Sequence, residues 1–99
     1  MVEIIKDNQL VIKLTQRLDT TNTQESSAVI EAYLDDIQTD IILDVTELEY
    51  ISSAGLQVVL KCAKQAKESK QDIYLKGAKA TVKEIFQISG FFTFIKEIE

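Results

Sequence analysis

Apolar residues recur along the chain in short runs whose spacing changes between that of a strand and that of a helix. Residues 1–6 form an interrupted apolar run, and residues 9–15 alternate, with Leu10, Ile12 and Leu14 on one side. An Asp-Asn pair between the two runs is a turn signal. The two runs are therefore predicted to form an N-terminal β-hairpin with one face on the core.

The segment that follows has the spacing of an amphipathic helix ending near position 38. Asn22 with Glu25 three residues later predicts a capping box at its start, and a Thr-Gln pair offers the same one residue earlier. Val29, Tyr33 and Ile37 recur at intervals of four residues. Four further apolar residues support this stripe: Ala28, Ile30, Ala32 and Leu34. This stripe is predicted to be the face of the helix that packs on the core.

The middle of the chain is predicted to be a short strand, a loop and a second helix. The apolar run 41–43, bounded by two aspartates, is typical of a buried strand. An acidic loop leads to Ser-Ser-Ala-Gly-Leu at 52–56, where the spacing becomes helical. The expected core stripe of this helix consists of Leu56, Val59, Leu60 and Ala63.

The last third of the chain repeats the alternation of strand and helix. Residues 73–75 predict a strand that ends at Gly77, and residues 81–89 predict a helix with Gly90 at its C-cap. The phenylalanine-rich segment 91–95 is expected to be core, as a short edge strand or a turn, followed by a polar tail.

This order of elements predicts one α/β domain over residues 1–99. The expected architecture is a mixed sheet of four to five strands with helices packed against it, in the order β-β-α-β-α-β-α with a short terminal strand or helix. Functional loops gather at the carboxyl ends of parallel strands. Asp19, Asp44 and Ser53 are expected at or just past such ends, so one surface is predicted to hold all three.

Composition narrows the chemistry. Ninety-nine residues with 45% apolar content are enough for a single core, and a net charge of −5 argues against a nucleic-acid surface. The absence of histidine excludes Ser-His-Asp catalysis and His-based zinc sites, and the lone Cys62 is expected to be a packed thiol. No cofactor or metal is expected. Without a signal-like or membrane-spanning run, the protein is predicted to be cytoplasmic.

The adjacent hydroxyls of Ser52 and Ser53 allow two interpretations. A serine at a helix start caps free backbone N–H groups. The same N–H groups and the helix dipole stabilise a phosphate placed there, so the position also suits a phosphorylation switch. Spacing alone leaves both interpretations open.

The stretch from the aspartate-bounded strand through Ser-Ser-Ala-Gly-Leu resembles the STAS domain, and more narrowly the anti-sigma factor antagonists of bacteria. In that family the loop reads Asp-Ser-Ser/Thr/Ala-Gly-Leu, and the serine after the aspartate is phosphorylated by the anti-sigma factor. Aligned on Gly55 and Leu56, the phosphorylated residue is Ser53. Ser52 stands where the family has aspartate and is the lesser candidate acceptor.

The resemblance implies a partner-binding surface and two classes of partner. The expected partners are a GHKL-type anti-sigma factor serine kinase, sequestered when Ser53 is unphosphorylated, and a PP2C-type phosphatase that restores binding. The implied surface consists of Asp19, Ser52, Ser53, Ala54, Gly55 and Leu56.

Three positions around this surface leave a structural role open. Asp19 either faces the partner or supports the next helix, and the Gly and Glu that precede it by three and two residues in the family are Gln16 and Arg17 here. Asp44 is expected to support the serine loop through backbone hydrogen bonds. Gly55 allows either the approach of a partner or a tight contact between strand and helix.

Two other functions compete with the antagonist. One is a STAS subunit of another complex, such as a lipid-transport or signalling scaffold, in which Ser53 is never phosphorylated. The other is an enzyme with Ser53 as nucleophile, which lacks a base, since Lys61 would lie some 12 Å along the helix. A phosphoaspartate receiver centred on Asp44 lacks the acidic pair that holds Mg²⁺. The chain is therefore predicted not to be an enzyme.

Overall fold

A computed structural model of the protein describes residues 2–6, 8–19, 21–34, 38–93 and 95–98. The elements follow each other as β1 (Val2–Lys6), β2 (Leu10–Leu18), α1 (Thr23–Leu34), β3 (Ile41–Ile51), α2 (Ser53–Glu68), β4 (Ile73–Lys76), α3 (Ala80–Ile88), a 3-10 turn (Phe91–Thr93) and β5 (Lys96–Ile98). The predicted α/β class and order are confirmed. Among the described residues no helix combines the length and the apolar character needed to cross a membrane.

The strands form one mixed sheet in the order β1-β2-β3-β4-β5. β1 pairs antiparallel with β2, with Ile4 opposite Ile12, which confirms the predicted hairpin. The pairs β2–β3, β3–β4 and β4–β5 are parallel, and a helix connects the two strands of each pair. The carboxyl ends of β2 to β5 therefore point to the same edge of the sheet.

The longest strand, β3, contains two more residues than the part of β2 that it pairs with. Lys13 lies opposite Asp44, but Thr15, two residues later, lies opposite Glu47, three residues later. A second shift of the same kind occurs between Gln16 and Arg17. Such bulges strengthen the local twist and change which side chains face the core. The buried positions accordingly change from every second to every third residue, at Ile41, Leu43, Val45, Leu48 and Ile51.

The prediction of a short strand at 41–43 followed by an acidic loop is therefore wrong. Residues 44–51 belong to β3, and only Ser52 separates this strand from α2. Strict alternation is the sequence signal of a half-buried strand. Two bulges remove that signal, so the acidic second half of the strand has the composition of a loop.

The face of α1 that packs on the core was predicted only in part, through the supporting residues Ile30 and Leu34. The buried residues are Ser26, Ile30 and Leu34, whereas Val29 and Tyr33 are 44% and 40% exposed. The two stripes have the same four-residue spacing and lie one position apart. Because the true stripe begins with a polar residue, the apolar pattern favoured the wrong one. The third residue of the predicted stripe, Ile37, and the predicted helix end near position 38 involve residues 35–37, which lie outside the described residues.

The second half of the chain agrees more closely with its pattern. Val59 and Ala63 of α2 are buried as predicted, while Leu56 and Leu60 are half-buried. Gly90 follows α3 with a φ of +74°, the left-handed conformation expected beyond a C-cap. The predicted short terminal strand is found as β5, but it lies in the polar tail at Lys96–Ile98, after the phenylalanine-rich segment, whose first three residues form a turn.

Candidate functional site

The site is built where the carboxyl ends of β2 and β3 meet. Leu18 and Ile51, the last residues of the two strands, are paired in the sheet, and the Ser52 N–H donates to the Leu18 carbonyl at 2.9 Å. Asp19 follows β2 directly, and Ser53 begins α2 after a single residue. The junctions β2–α1 and β3–α2 therefore lie at one edge, as predicted for Asp19 and Ser53.

Asp44 does not belong to this edge, which corrects the prediction that one surface holds all three residues. It lies inside β3, opposite Lys76 at the end of β4, and seven residues before Ile51. At the rise of a strand this separation is roughly 20 Å. Because β4 is shorter than β3, Asp44 lies beside the carboxyl end of β4 and not at the end of its own strand.

Asp44 supports the first bulge of β3 and not the serine loop. Its Oδ1 accepts hydrogen bonds from the Thr46 backbone N–H at 3.1 Å and from the Thr46 hydroxyl at 2.6 Å. Partial burial acts to raise the pKa of Asp44, but these hydrogen bonds and the charges of Lys76 and Lys13 lower it overall. The carboxylate is thus held in its ionised form as the acceptor that the bulge requires.

Ser52 is the N-cap of α2. Its backbone is extended, with a φ of −89° and a ψ of 174°, and its Oγ accepts from the Gly55 N–H at 3.1 Å. The side chain is half-buried. Both the N–H and the hydroxyl oxygen of Ser52 are therefore engaged in joining the helix to the strands, which assigns the capping role to this serine.

Ser53 is the first residue of α2, and it is exposed. The N–H groups of the first helical turn have no acceptor one turn earlier, and only that of Gly55 is met by the cap. The first turn of α2 contains no acidic residue. No acidic residue of this turn therefore competes for the positive end of the helix dipole beside the Ser53 hydroxyl, which is an environment that favours a bound phosphate.

Gly55 is required by the contact between α2 and the strand ends. A Cβ at this position would lie 2.7 Å from the Leu18 carbonyl oxygen and 2.7 Å from Ile51 Cγ1. One of these neighbours is backbone that is itself bonded to Ser52, so it has no room to move. The structural interpretation of Gly55 as a tight strand–helix contact is therefore confirmed.

The β2–α1 junction keeps an unusual backbone without the expected glycine. Gln16 has a φ of +63°, in the left-handed region that a side chain disfavours by about 1–2 kcal/mol. The register shift beside it is the second bulge of the β2–β3 pair. The left-handed backbone is thus formed at the position where the family has glycine, with a strained glutamine in its place.

Asp19 is fully occupied by its own junction. Its Oδ1 accepts from the Thr21 N–H at 3.0 Å and from the Thr21 hydroxyl at 2.6 Å, and its Oδ2 accepts from Arg17 Nε at 3.1 Å. These bonds, led by that from the Thr21 hydroxyl, lower the pKa of Asp19. The Asn22 side chain bonds the Asp19 N–H and the Arg17 carbonyl, so the predicted Asn22–Glu25 capping box is not formed.

An apolar groove beside Ser53 was not predicted from the sequence. It has a volume of about 280 Å³ and is lined by residues from β3, α2 and α3, among them Tyr50, Leu56, Ile85 and Ile88. Tyr50 is 41% exposed and Ile88 is 79% exposed. Ile88 does not lie on the buried face of α3 that holds Val82 and Phe86. An apolar residue outside the core face of a helix is the sequence signal that could have predicted its exposure.

The fold and the junction define a class of protein: a small α/β domain that presents a serine at a helix start beside an apolar groove. The family model of the STAS domain matches residues 1–99. The chain therefore belongs to the STAS domain family, in agreement with the resemblance of its serine loop.

Relatives and solved structures agree with this assignment. The chain is 38% identical over 85 residues to BtrV of Bordetella bronchiseptica, named as an anti-sigma factor antagonist, covering 86% of this chain and 73% of that protein. SpoIIAA in its unphosphorylated form superimposes with a TM-score of 0.81 at 23% identity, covering 100% and 87% of the two chains. A STAS domain protein of Planctomyces limnophilus gives a TM-score of 0.88 at 16% identity, covering 99% and 88%. The structural matches show a shared fold.

Proposed function

We propose that this protein is an anti-sigma factor antagonist whose binding surface surrounds Ser53. In the unphosphorylated state, this surface binds an anti-sigma factor kinase of the GHKL type and so frees the sigma factor. The observation that carries the proposal is the exposed Ser53 at the start of a helix whose first turn contains no acidic residue. The name of the 38% identical relative BtrV supports the same function.

Phosphorylation of Ser53 changes this surface in one step. A phosphoryl group adds about −2 charge at neutral pH. The start of α2 stabilises this charge in the free protein, because N–H groups of the first turn are available to it. In the complex the same dianion would be removed from water beside Tyr50, Leu56 and Ile88, which is costly without a paired cation. The phosphorylated protein therefore leaves its partner, and a PP2C-type phosphatase restores binding.

The residues around Ser53 have different roles in this proposal. Ala54 and Leu56 are half-buried and offer small and apolar contacts to the partner. Gly55 and Ser52 hold the start of α2 against the strand ends. Asp19, engaged by Thr21 and Arg17, fixes the neighbouring loop that the partner meets. No residue has a catalytic role, since the protein is the substrate of the kinase and not an enzyme.

The test is phosphorylation by the cognate kinase with ATP, with the site mapped by mass spectrometry. Ser53→Ala is expected to abolish labelling, while the matched variant Ser52→Ala, which removes the neighbouring hydroxyl, is expected to keep it. Label that persists in Ser53→Ala would contradict the assignment. Co-purification with transport or scaffold subunits and no kinase would instead favour a STAS subunit of another complex.

A further inference from the structure

A second candidate site lies at the opposite end of α2 from Ser53. The helix has 16 residues and is about 24 Å long. A pocket of about 540 Å³ opens beside its C-terminal half, between α2, β4 and β5. Its apolar residues are Leu60, Ala63 and Ile73, and its charged residues are Lys64, Lys67, Lys70, Asp72 and Lys96.

The charge of this pocket is opposite to that of the whole molecule. The chain has 11 basic and 16 acidic residues, yet the pocket is lined by 4 of the basic ones and 1 of the acidic ones. Lys96 is paired with Asp72 at 3.6 Å. Lys64, Lys67 and Lys70 form no ion pair with any residue that the structure describes. The pocket therefore carries three lysines without an ion-pair partner among the described residues, and its one carboxylate, that of Asp72, is paired with Lys96.

The arrangement follows from the helical period of α2. Leu60, Ala63, Lys64 and Lys67 are spaced i, i+3, i+4 and i+7, so they occupy one face. This face is apolar over its first turn and basic over its second. The gradient from an apolar to a cationic surface is the complement of a molecule with a short aliphatic chain and an anionic head.

Lys70 adds a second, independent observation. Its N–H bonds the Lys67 carbonyl at 3.1 Å and the next N–H, of Gln71, bonds the Ala66 carbonyl at 2.8 Å, which is the Schellman arrangement at a helix end. The residue in the left-handed position of that motif is usually glycine, but here it is Lys70, with a φ of +61°. Attraction to the helix dipole accounts for a lysine in the last turn. It does not account for a lysine held in a strained backbone conformation at the rim of a pocket, where strain often marks function.

We propose that this pocket binds a small amphiphilic anion. Its phosphate or carboxylate head is held by Lys64, Lys67 and Lys70, and its aliphatic chain packs on Leu60, Ala63 and Ile73. The volume lies in the range of sites for small molecules. Because three unpaired lysines attract a dianionic head more strongly than a monoanionic one, an alkyl phosphate is expected to bind more tightly than a fatty acid of the same length. This site is independent of the function proposed for Ser53.

The test is a titration of the ¹⁵N-labelled protein with octyl phosphate below its micelle-forming concentration, followed by NMR. We expect saturable shifts of amides that line the pocket, with a Kd at least tenfold lower than for inorganic phosphate or for octanol alone. Equal affinity for inorganic phosphate and octyl phosphate would overturn the role of the apolar floor. Absence of saturable shifts would overturn the site.

Matched variants locate the binding. The double variant Lys67→Gln/Lys70→Gln is expected to weaken octyl phosphate at least tenfold. The control Lys79→Gln/Lys83→Gln removes the same charge from lysines that are paired with Glu49 and Glu97, and it is expected to leave the Kd within twofold. An equal loss of affinity in both variants would show that only the net charge matters, and it would overturn the proposal. So would binding to vesicles of phosphatidylglycerol, or to an acidic peptide, without binding of monomeric octyl phosphate.

Discussion

The two ends of α2 differ in the charged residues that lie near the helix dipole. A helix favours negative charge at its N-terminus and positive charge at its C-terminus. The N-terminal turn, from Ser53, contains no acidic residue, so the favourable negative charge is missing. The C-terminal end has the favourable cations, and Lys64, Lys67 and Lys70 form no ion pair among the described residues. The proposed phosphate on Ser53 would thus be stabilised by the dipole itself, whereas the anion proposed at the other end would be attracted by the unpaired lysines.

The two ends also differ in what lies against them. At the N-terminal end, Gly55 lies against strand backbone and Ser52 is bonded on both sides, so the start of the helix is fixed. At the C-terminal end, the strained Lys70 closes the helix next to an open pocket. A start packed against the strands fits the protein-binding surface proposed around Ser53, whereas an end beside a pocket fits the small ligand proposed there.

The largest expected effect concerns the fixed end. Gly55→Ala places a Cβ 2.7 Å from the Leu18 carbonyl oxygen, so the variant is expected to lose about 2 kcal/mol of unfolding free energy through overpacking. Urea denaturation measures the loss. Gly90→Ala is the control, because its Cβ would meet nothing within 4 Å and only the positive φ opposes it. Unchanged stability of Gly55→Ala would show that the helix start is not fixed in this way.

A smaller effect separates the two hydroxyls. Ser52→Ala removes the N-cap bond to the Gly55 N–H and is expected to lower the unfolding free energy by about 1 kcal/mol. Ser53→Ala removes an exposed hydroxyl in the first helical turn and is expected to stay within about 0.5 kcal/mol of the wild type. Thermal unfolding of the pair tests this. The reverse order of stability would exchange the roles of the two serines.

At the other end of the helix, Lys70→Gly is expected to stabilise the protein. Glycine adopts the positive φ of Lys70 without strain, which raises the unfolding free energy. Its greater freedom in the unfolded chain cancels part of this gain, so the net increase is expected to be about 0.5 kcal/mol. Lys67→Gly, three residues earlier inside the helix, is the matched control and is expected to lose about 1 kcal/mol. If both variants destabilise alike, Lys70 is not strained and the argument for its function fails.

The pH dependence of stability provides a test away from both ends. Because the folded pKa of Asp44 is lowered, its contribution is present above the unfolded value near 3.8 and is lost as the pH falls through that value to the folded one. Asp44→Asn is therefore expected to flatten the loss of unfolding free energy as the pH falls below about 3.8. Thr46→Val, which removes only the hydroxyl donor, is expected to flatten it partly. An unchanged slope in both would contradict the role of Asp44 in the bulge.

The smallest expected effect is at Cys62, in the middle of α2. The thiol is buried, and its burial raises its pKa to about 12. Reaction with a thiol reagent under native conditions is expected only as fast as the protein opens, and at the free rate in denaturant. Fast native labelling would show that the helix between the two ends is not closely packed.

Much of the fold could be predicted from the sequence because most elements follow a single period. The hairpin, the strand ending at Gly77 and the helix ending before Gly90 all have strong local signals. The errors have physical causes. Bulges remove the strict alternation from the second half of β3, so its sequence is typical of a loop. The buried stripe of α1 begins with the polar Ser26, so an apolar pattern does not identify it. Those features depend on pairing and packing, which a local pattern does not contain.

The position of the candidate site was predicted only in part, because some of its residues are placed by strand order and others by pairing and packing. The meeting of Asp19 with the Ser52–Ser53 turn follows from strand topology, and it is found at one edge of the sheet. The position of Asp44 depended on the length of β3 and was wrong. The groove residues Tyr50 and Ile88 come from distant segments of the chain, so no spacing in the sequence joins them.

The most direct test of the central claim compares one protein in two states. Isothermal titration calorimetry with the cognate anti-sigma factor would use the wild type and the homogeneously Ser53-phosphorylated protein. The dianion at the start of α2 is expected to weaken binding at least tenfold, while phosphatase treatment restores the original Kd. Equal affinity of the phosphorylated and unphosphorylated forms would contradict the account.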